Sequence, residues 1–224
     1  ATEAGGRGDE VHMYPLSCAE FMTVYKGHYY DGFREYMTYG GIPIVVLAQT
    51  PEQKMALLDS LFTETYIRDI RIRNKLRNVG EMGTLLDILS SSVGSLTNPN
   101  KLCNTFHSVN KSKITATTII KYIGYLEDSF LIEEAKRFDI RGKSYIGTPQ
   151  KYYFTDLGLR NARIGYRQTE VTHSMENIIY NELRIRGFKV DVGNLSITEQ
   201  DKNRKPVKKQ LEVDFICTKA SKKY

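Results

Sequence analysis

Two carboxylates in the last quarter of the sequence are candidates for catalysis. Glu176 lies in a predicted helix that Ser174 would cap, and Asp214 lies in the later strand candidate QLEVDFIC. A glutamate and an aspartate that share one site could hold a divalent metal that activates water for attack on a phosphodiester. The alternative is that Asp214 is a carboxylate on a strand edge without a catalytic role. We favour this alternative, because no third motif accompanies the pair, and we assign no metal ligand.

The elements around these carboxylates are a helix, the strand KVDVG, the polar hairpin EQDKNRKPVKK and a second strand. This order is the skeleton of the PD-(D/E)xK nuclease core. The strand that would carry the acidic-x-lysine motif is absent from the 224 residues. The sequence therefore predicts an incomplete restriction-endonuclease-like α/β unit over residues 174–224, after a linker at residues 166–173 that is poor in apolar side chains.

The stretch from Leu85 to Phe154 predicts a second module. Three helical segments are followed by two strand candidates, Phe130 to Asp139 and KYYFTD, with the loop IRGKSYIGTPQ between them. This order is that of a winged helix-turn-helix, which usually contacts DNA and is often used for protein contacts. We assign the module to residues 79–165. The residues expected to point inward from its third helix, which Thr115 would cap, are Ile119, Ile120, Ile123 and Leu126.

Polar and basic residues of this module are the candidate nucleic-acid contacts. They are Lys111 and Lys113 in the turn, Thr117, Thr118, Lys121 and Tyr122 on the third helix, and Arg141, Lys143 and Lys151 of the wing. Short polar side chains and lysines near the start of a recognition helix reach phosphates and base edges. The helix has no arginine or asparagine for bidentate base contacts, so base-specific reading is poorly supported. In the alternative interpretation, the tyrosines of the helix pack against a neighbouring domain.

The first third of the chain is predicted to be helical. A long helix with a basic end is assigned to residues 51–78, with Pro51 at its first position. Residues 1–50 are predicted to contain connecting helices, one of which begins with a capping box of Ser17 and Glu20. The apolar phrase IPIVVLAQT is compatible with a buried strand or an extended segment. The whole pattern predicts an α+β fold that is mostly helical.

The composition limits the classes of function. With 224 residues, of which 41% are hydrophobic, the chain can fill one large core or two small ones. The net charge of +6 permits a polyanionic partner without requiring one. Cys18, Cys103 and Cys217 form no CxxC, so we predict neither a disulfide framework nor a zinc site and expect a cytoplasmic protein. The sequence contains neither a GxxxxGK[ST] nucleotide-binding loop nor an apolar run near the ~18 residues of a membrane span.

Seven phrases occur in a characteristic order: GRGDEVHMYPLSCAEFM, YMTYGGIPIVV, ETYIRDI, TIIKYIGYLEDSFLIEEAKRFD, KYYFTDLGLRNARIG, MENIIYNELRIRGFKVDVG and LEVDFI. In this order they resemble the prokaryotic AAA-type P-loop ATPases that carry a C-terminal domain of unknown function, over essentially the whole chain. The resemblance implies that a nucleotide-binding core, which binds ATP and Mg²⁺, precedes these residues in a parent protein. It also implies that the residues themselves hold no cofactor and that their nuclease-like unit is degraded and inactive.

By the same resemblance, residues 1–50 include the tail of the ATPase core, and Arg7 matches an arginine that follows the last strand of that core, where a guanidinium can sense a γ-phosphate. A structural arginine at a domain seam is the alternative. We expect the region to be a regulatory and nucleic-acid- or partner-binding part of a cytoplasmic ATPase, without ATP hydrolysis of its own. Its expected partners are the ATPase core of the same polypeptide, DNA and further copies in a homo-oligomer. A protein-interaction scaffold and a metal-dependent nuclease are the alternative functions.

Overall fold

A computed structural model describes residues 11–76, 79–110, 112–167, 171–200, 206–220 and 222–224. The fold is α+β, with about 52% of the residues in helices and 24% in strands, so the predicted fold class is confirmed. Helices precede the first strand, and two further helices lie between the second and third strands, as the sequence pattern predicted.

The first group of helices precedes residue 77. Its members are α1 (Cys18–Val24), α2 (Tyr29–Tyr39), α3 (Pro43–Val46), α4 (Pro51–Ser60), a π-helical segment (Leu61–Ile67) and α5 (Arg68–Arg73). The predicted capping box at the start of α1 is present, since Ser17 and Glu20 bond reciprocally, and Pro51 opens α4. The expectation of a strand or extended segment at IPIVV was wrong, because Pro43 starts a single helical turn there.

The second group consists of three helices and a hairpin, in the predicted order. They are α6 (Val79–Ser91), α7 (Pro99–Asn110), α8 (Ala116–Asp128), β1 (Ile132–Asp139) and β2 (Ser144–Phe154). Thr115 caps α8 as expected, and its hydroxyl accepts a bond from the Thr118 N–H. The predicted wing loop is much shorter than expected, because residues 144–150 belong to β2 and residues 140–143 make the turn. The assignment of this group as a winged helix stays a prediction.

The last group contains α9 (Leu157–Arg163), α10 (Val171–Ile185), β3 (Lys189–Gln200), β4 (Pro206–Lys219) and β5 (Lys222–Lys223). Helix α10 begins at Val171, so Ser174 is a buried residue of its first turn and the prediction that it caps the helix was wrong. The five strands of the described residues form one sheet in the order β2-β1-β3-β4-β5. Strand β1 is parallel to β3, with Phe138 opposite Gly193, and the other pairs are antiparallel.

The parallel pair β1–β3 crosses the predicted boundary at residues 166–173. The main hydrophobic core also contains residues from both sides of that boundary, among them Leu85, Tyr153, Tyr180 and Val192. The sheet and the core therefore include residues on both sides of the predicted boundary. The division of the chain into separate domains stays a prediction.

Buried polar groups join these elements around the phrase that runs from Phe154 to Asn161. Asp156 caps α9 and accepts a hydrogen bond from the Leu159 N–H at 3.2 Å. The Asn161 amide donates to the carbonyls of Met37 and Thr38 at the end of α2. The Asn177 side chain of α10 pairs with both the N–H and the carbonyl of Phe154. Helices α2, α9 and α10 are thereby fixed to the end of β2.

Candidate functional site

The predicted catalytic residue Glu176 lies in a buried ionic cluster on one face of the sheet. Lys151 of β2 places its Nζ 2.7 Å from Glu176 Oε1 of α10 and 2.7 Å from Glu212 Oε1 of β4. The Lys151 side chain is 4% exposed and that of Glu176 12% exposed, whereas Glu212 is 36% exposed. Lys151 therefore bridges a helix and a strand that are far apart in the sequence, and the prediction that it belongs to a basic wing was wrong.

Neighbouring groups hold Glu176 in this position. The Tyr153 hydroxyl donates to Glu176 Oε1 at 2.6 Å, and His173 Nδ1 lies 3.8 Å from Glu176 Oε2. Residues 151 and 153 lie on the same side of β2, because side chains alternate along a strand. Ala135 pairs with Lys151 across the β1–β2 ladder and is fully buried.

The electrostatics of the cluster favour a charged lysine and a neutral tyrosine. Burial alone would lower the pKa of Lys151, but its hydrogen bonds to Glu176 and Glu212 outweigh that effect and raise the pKa. Burial, together with the bond to Glu176, raises the pKa of Tyr153. The ammonium thus lies between the two carboxylates, in the way that a metal cation would in a hydrolytic site. Among the residues that the structure describes, no group of three His, Cys, Asp or Glu side chains is arranged to hold a metal ion.

The second predicted catalytic residue, Asp214, lies at a bulge of β4. Gly193 pairs with Val213 and Asp191 pairs with Ile216, so that two residues of β4, Asp214 and Phe215, oppose one residue of β3. Asp214 is exposed, and its carboxylate makes no hydrogen bond or ion pair with any described residue. The structure thus brings Glu176 together with Glu212 and Lys151 but records no such bond between Glu176 and Asp214.

Helix α8 carries part of the predicted nucleic-acid contacts on its surface. Thr117 and Lys121 are exposed, one turn apart, and Thr118 is half-buried with its hydroxyl 3.0 Å from that of Thr115. Tyr122 is 7% exposed, so its assignment as a surface contact was wrong, and burial followed by the nearby Glu81 charge raises its pKa. The expectation that Ile120 points inward was also wrong, because it is 57% exposed.

The remaining predicted contacts lie in turns. Lys113, just before α8, is exposed, and so are Arg141 and Lys143 in the turn between β1 and β2. The backbone N–H of Arg141 donates to Asp139 Oδ1 at 3.0 Å, which orders this turn. Arg7 and Lys111 lie outside the described residues, so the proposed γ-phosphate sensor and one turn lysine stay predictions.

Sequence reasoning considered Glu212 only as a neighbour of Asp214 and did not place it in a site with Glu176, and it misassigned Lys151. A usable signal was present in the sequence, since Lys151 is two residues before Tyr153 in an aromatic strand and must share its face. Nothing in the local sequence indicates that Glu212 lies opposite, because that contact depends on strand order across β1 and β3.

The chain is an α+β protein whose buried ionic cluster joins its last helix to its sheet. It belongs to the family described as "Domain of unknown function (DUF8612)", which matches residues 30–170.

An uncharacterized protein of Haemophilus influenzae is 36% identical over 225 residues, which cover 98% of this chain and 52% of that protein. Uncharacterized protein MJ1544 of Methanocaldococcus jannaschii is 26% identical over 228 residues, which cover 96% of this chain and 48% of that protein. The chain therefore spans about half the length of these relatives. No solved structure matches the chain. No helix in the described part of the chain is long and apolar enough to cross a membrane.

Proposed function

We propose that this chain is a non-catalytic, nucleic-acid-binding region of a longer, cytoplasmic AAA-type ATP-binding protein. The observation that carries the proposal is the exposed face of α8, on which Thr117 and Lys121 lie one turn apart next to exposed Lys113. A short hydroxyl side chain and two lysines at the start of a helix suit contacts with a phosphate backbone. Because Tyr122 is buried, this face offers little for reading base edges, and we expect binding with weak sequence preference.

The ATPase assignment rests on the order of the signature phrases and on the length of the relatives. Since this chain covers 52% and 48% of two relatives, each has room for a further domain of similar size. We expect that domain to bind ATP and Mg²⁺ and the present chain to hydrolyse no ATP. Steady-state ATP turnover by the 224-residue chain would contradict this part of the proposal.

The non-catalytic part of the proposal is supported by the ammonium group of Lys151. It lies 2.7 Å from both Glu176 and Glu212, so the carboxylates that could hold a catalytic metal already neutralise a cation. A metal would have to displace a lysine whose pKa is raised by these same contacts. We therefore expect no cleavage of plasmid DNA in Mg²⁺ or Mn²⁺.

Binding to fluorescent duplex DNA, measured by anisotropy across a range of salt concentrations, tests the nucleic-acid part. Each phosphate contact contributes about 0.9 to the slope of log K against log salt, so the double variant K113A/K121A should lower the slope by about 1.8. The matched control K26A/K222A removes two exposed lysines elsewhere and keeps the same net charge. An affinity that does not depend on salt, or an equal loss in both variants, would contradict backbone contacts by α8.

A protein-interaction scaffold is a second candidate, and exposed Ile120 favours it. This side chain is 57% exposed and lies beside Lys121 on α8, where an apolar group suits a protein surface better than a phosphate. Light scattering of the wild-type chain and of I120D measures self-association. A dimer that I120D converts to monomers, together with unmeasurable DNA binding, would favour the scaffold over the nucleic-acid function.

A further inference from the structure

The turn between α7 and α8 brings three possible metal ligands together. Cys103 and His107 are one helical turn apart on α7, and Cys103 Sγ lies 3.6 Å from His107 Nε2. Both atoms also approach the backbone carbonyl of Ile114, Sγ at 3.0 Å and Nε2 at 3.2 Å. A sulfur, an imidazole nitrogen and a carbonyl oxygen therefore form a small triangle at the start of α8.

The dimensions of this triangle are compatible with metal binding, although the carbonyl oxygen lies closer to the other two atoms than in an ideal tetrahedral site. Three atoms with these separations have a common point about 2.2 Å from each, and metal–ligand distances in zinc sites are about 2.0–2.3 Å. The separation of 3.6 Å between Sγ and Nε2 is close to the distance between two ligands of a tetrahedral zinc ion. An ion could thus be bound with small side-chain movements.

The site is open to solvent. A cavity of about 490 Å³ borders Cys103 and His107, and Ser112, Lys113 and Thr115 complete its lining. Ser112 is already engaged, since its hydroxyl donates to Glu81 Oε1 at 2.9 Å. A water molecule entering through the cavity can occupy the fourth coordination position.

We propose that Cys103, His107 and the carbonyl oxygen of Ile114 bind a thiophilic divalent metal ion such as Zn²⁺. Binding requires the thiolate of Cys103 and a neutral imidazole with a free Nε2 lone pair, so one proton, from the thiol, is released per ion bound. The metal replaces the hydrogen bonds that the thiol and imidazole make to Ile114. It would fix the turn that precedes α8, and the proposal does not depend on whether α8 contacts nucleic acid.

Titration of the chain with Co²⁺, in a preparation without a histidine tag, tests the proposal. We expect one equivalent of Co²⁺ to give a sulfur-to-cobalt charge-transfer band in the near ultraviolet, and Zn²⁺ to remove it by displacement. The charge-transfer band should disappear in C103S. In H107A, affinity should fall by about tenfold or more, since loss of an outer-shell partner alone costs about that factor. The variants C18S and C217S should bind as the wild type does.

Far-UV circular dichroism and thermal unfolding of each variant without metal show whether it is folded. If C103S does not fold, the Co²⁺ affinity of H107A alone tests the proposal. The His107 side chain is exposed, so its removal leaves the core intact. The absence of a charge-transfer band in the folded wild-type protein would overturn the proposal. Persistence of the band in folded C103S, or wild-type affinity in folded H107A, would overturn it equally.

Discussion

The carboxylate of Asp156 accepts a 2.7 Å hydrogen bond from the backbone N–H of Gly41, 115 residues earlier in the chain. Both groups are buried, and the same carboxylate caps α9. The Gly41 carbonyl in turn accepts from the Leu16 N–H, so the segment before α1 is attached to the same point. Residues 39–41 (YGG) and 154–156 (FTD), which are far apart in the sequence, thus meet in one hydrogen-bonded contact.

Replacing Asp156 by asparagine tests this contact. Backbone N–H groups of Gly41, Ile42, Gly158 and Leu159 face the two carboxylate oxygens, and an amide would turn one acceptor into a donor. A buried donor without a partner costs about 1–3 kcal/mol, so we expect D156N to lose about 2 kcal/mol of unfolding free energy in urea. The exposed control D59N should change it by less than about 0.5 kcal/mol. Equal stabilities of the two variants would contradict the role of Asp156.

The backbone at Gly40 leads to a second prediction. Its φ of +75° is unfavourable for other residues, and a Cβ there would lie 2.0 Å from Asp156 Oδ1. We expect G40A to destabilise the protein by at least about 2 kcal/mol. The control G124A, in α8, meets no atom within 4 Å and should stabilise by about 0.5–1 kcal/mol. In thermal unfolding, G40A should lower the midpoint temperature and G124A should raise it.

The carboxyl group of Glu127 predicts a pH dependence. Burial first, and then the charges of Glu134 and Asp128, raise its pKa from 4.5 to about 7. The folded state therefore holds the Glu127 proton more tightly than the unfolded state does. The contribution of this proton to the free energy of unfolding is complete below pH 4.5 and is lost as the pH rises through about 7. At pH 8, E127Q should therefore be more stable than the wild type, by about 1 kcal/mol after allowance for partial exposure.

Urea unfolding of E127Q between pH 4 and 8 measures this difference. Part of the pH dependence should remain, because burial also raises the pKa of Asp156, to about 6. The exposed control E64Q should show the same curve as the wild type. A stability difference between E127Q and the wild type that is constant over this pH range would contradict the raised pKa of Glu127.

The ionic cluster predicts a large effect for Lys151→Met, which keeps the length of the side chain and removes its charge. Glu176 would remain buried without its cation, and loss of one partner of a buried ion pair costs about 3–5 kcal/mol. Since Glu212 is partly exposed, we expect the lower end of this range: K151M should lose about 3 kcal/mol of unfolding free energy, measured by urea unfolding. The double variant K151M/E176Q should regain part of the loss. The exposed control K121M should be neutral.

Features set by neighbouring residues were predictable from the sequence. The capping box of Ser17 and Glu20 and the inward positions of Ile119, Ile123 and Leu126 depend on contacts within one or two helical turns, and all are present. Tyr122 was misassigned because helical periodicity does not reveal how wide a face the neighbouring helices cover. Its burial, at 7% exposure, depends on packing against other parts of the core.

Contacts that depend on strand order were not predictable. The parallel pairing of Arg137 with Val192 connects two predicted units, and no local pattern encodes it. The bridge from Lys151 to Glu212 follows from that pairing, because β4 reaches the cluster only through β3. The sequence thus grouped Glu176 with Asp214 in a nuclease-like site, whereas in the structure Glu176 lies with Lys151 and Glu212.

The position of β1 between β2 and β3 has a practical consequence for anyone who divides the chain into smaller pieces. A cut at residues 166–173 would separate β1 from β3 and leave the backbone groups around Phe138 as an open edge. Such an edge is a template for pairing with other chains, so the first piece is expected to aggregate. A shortened version that stays monodisperse should therefore retain residues up to the end of β4.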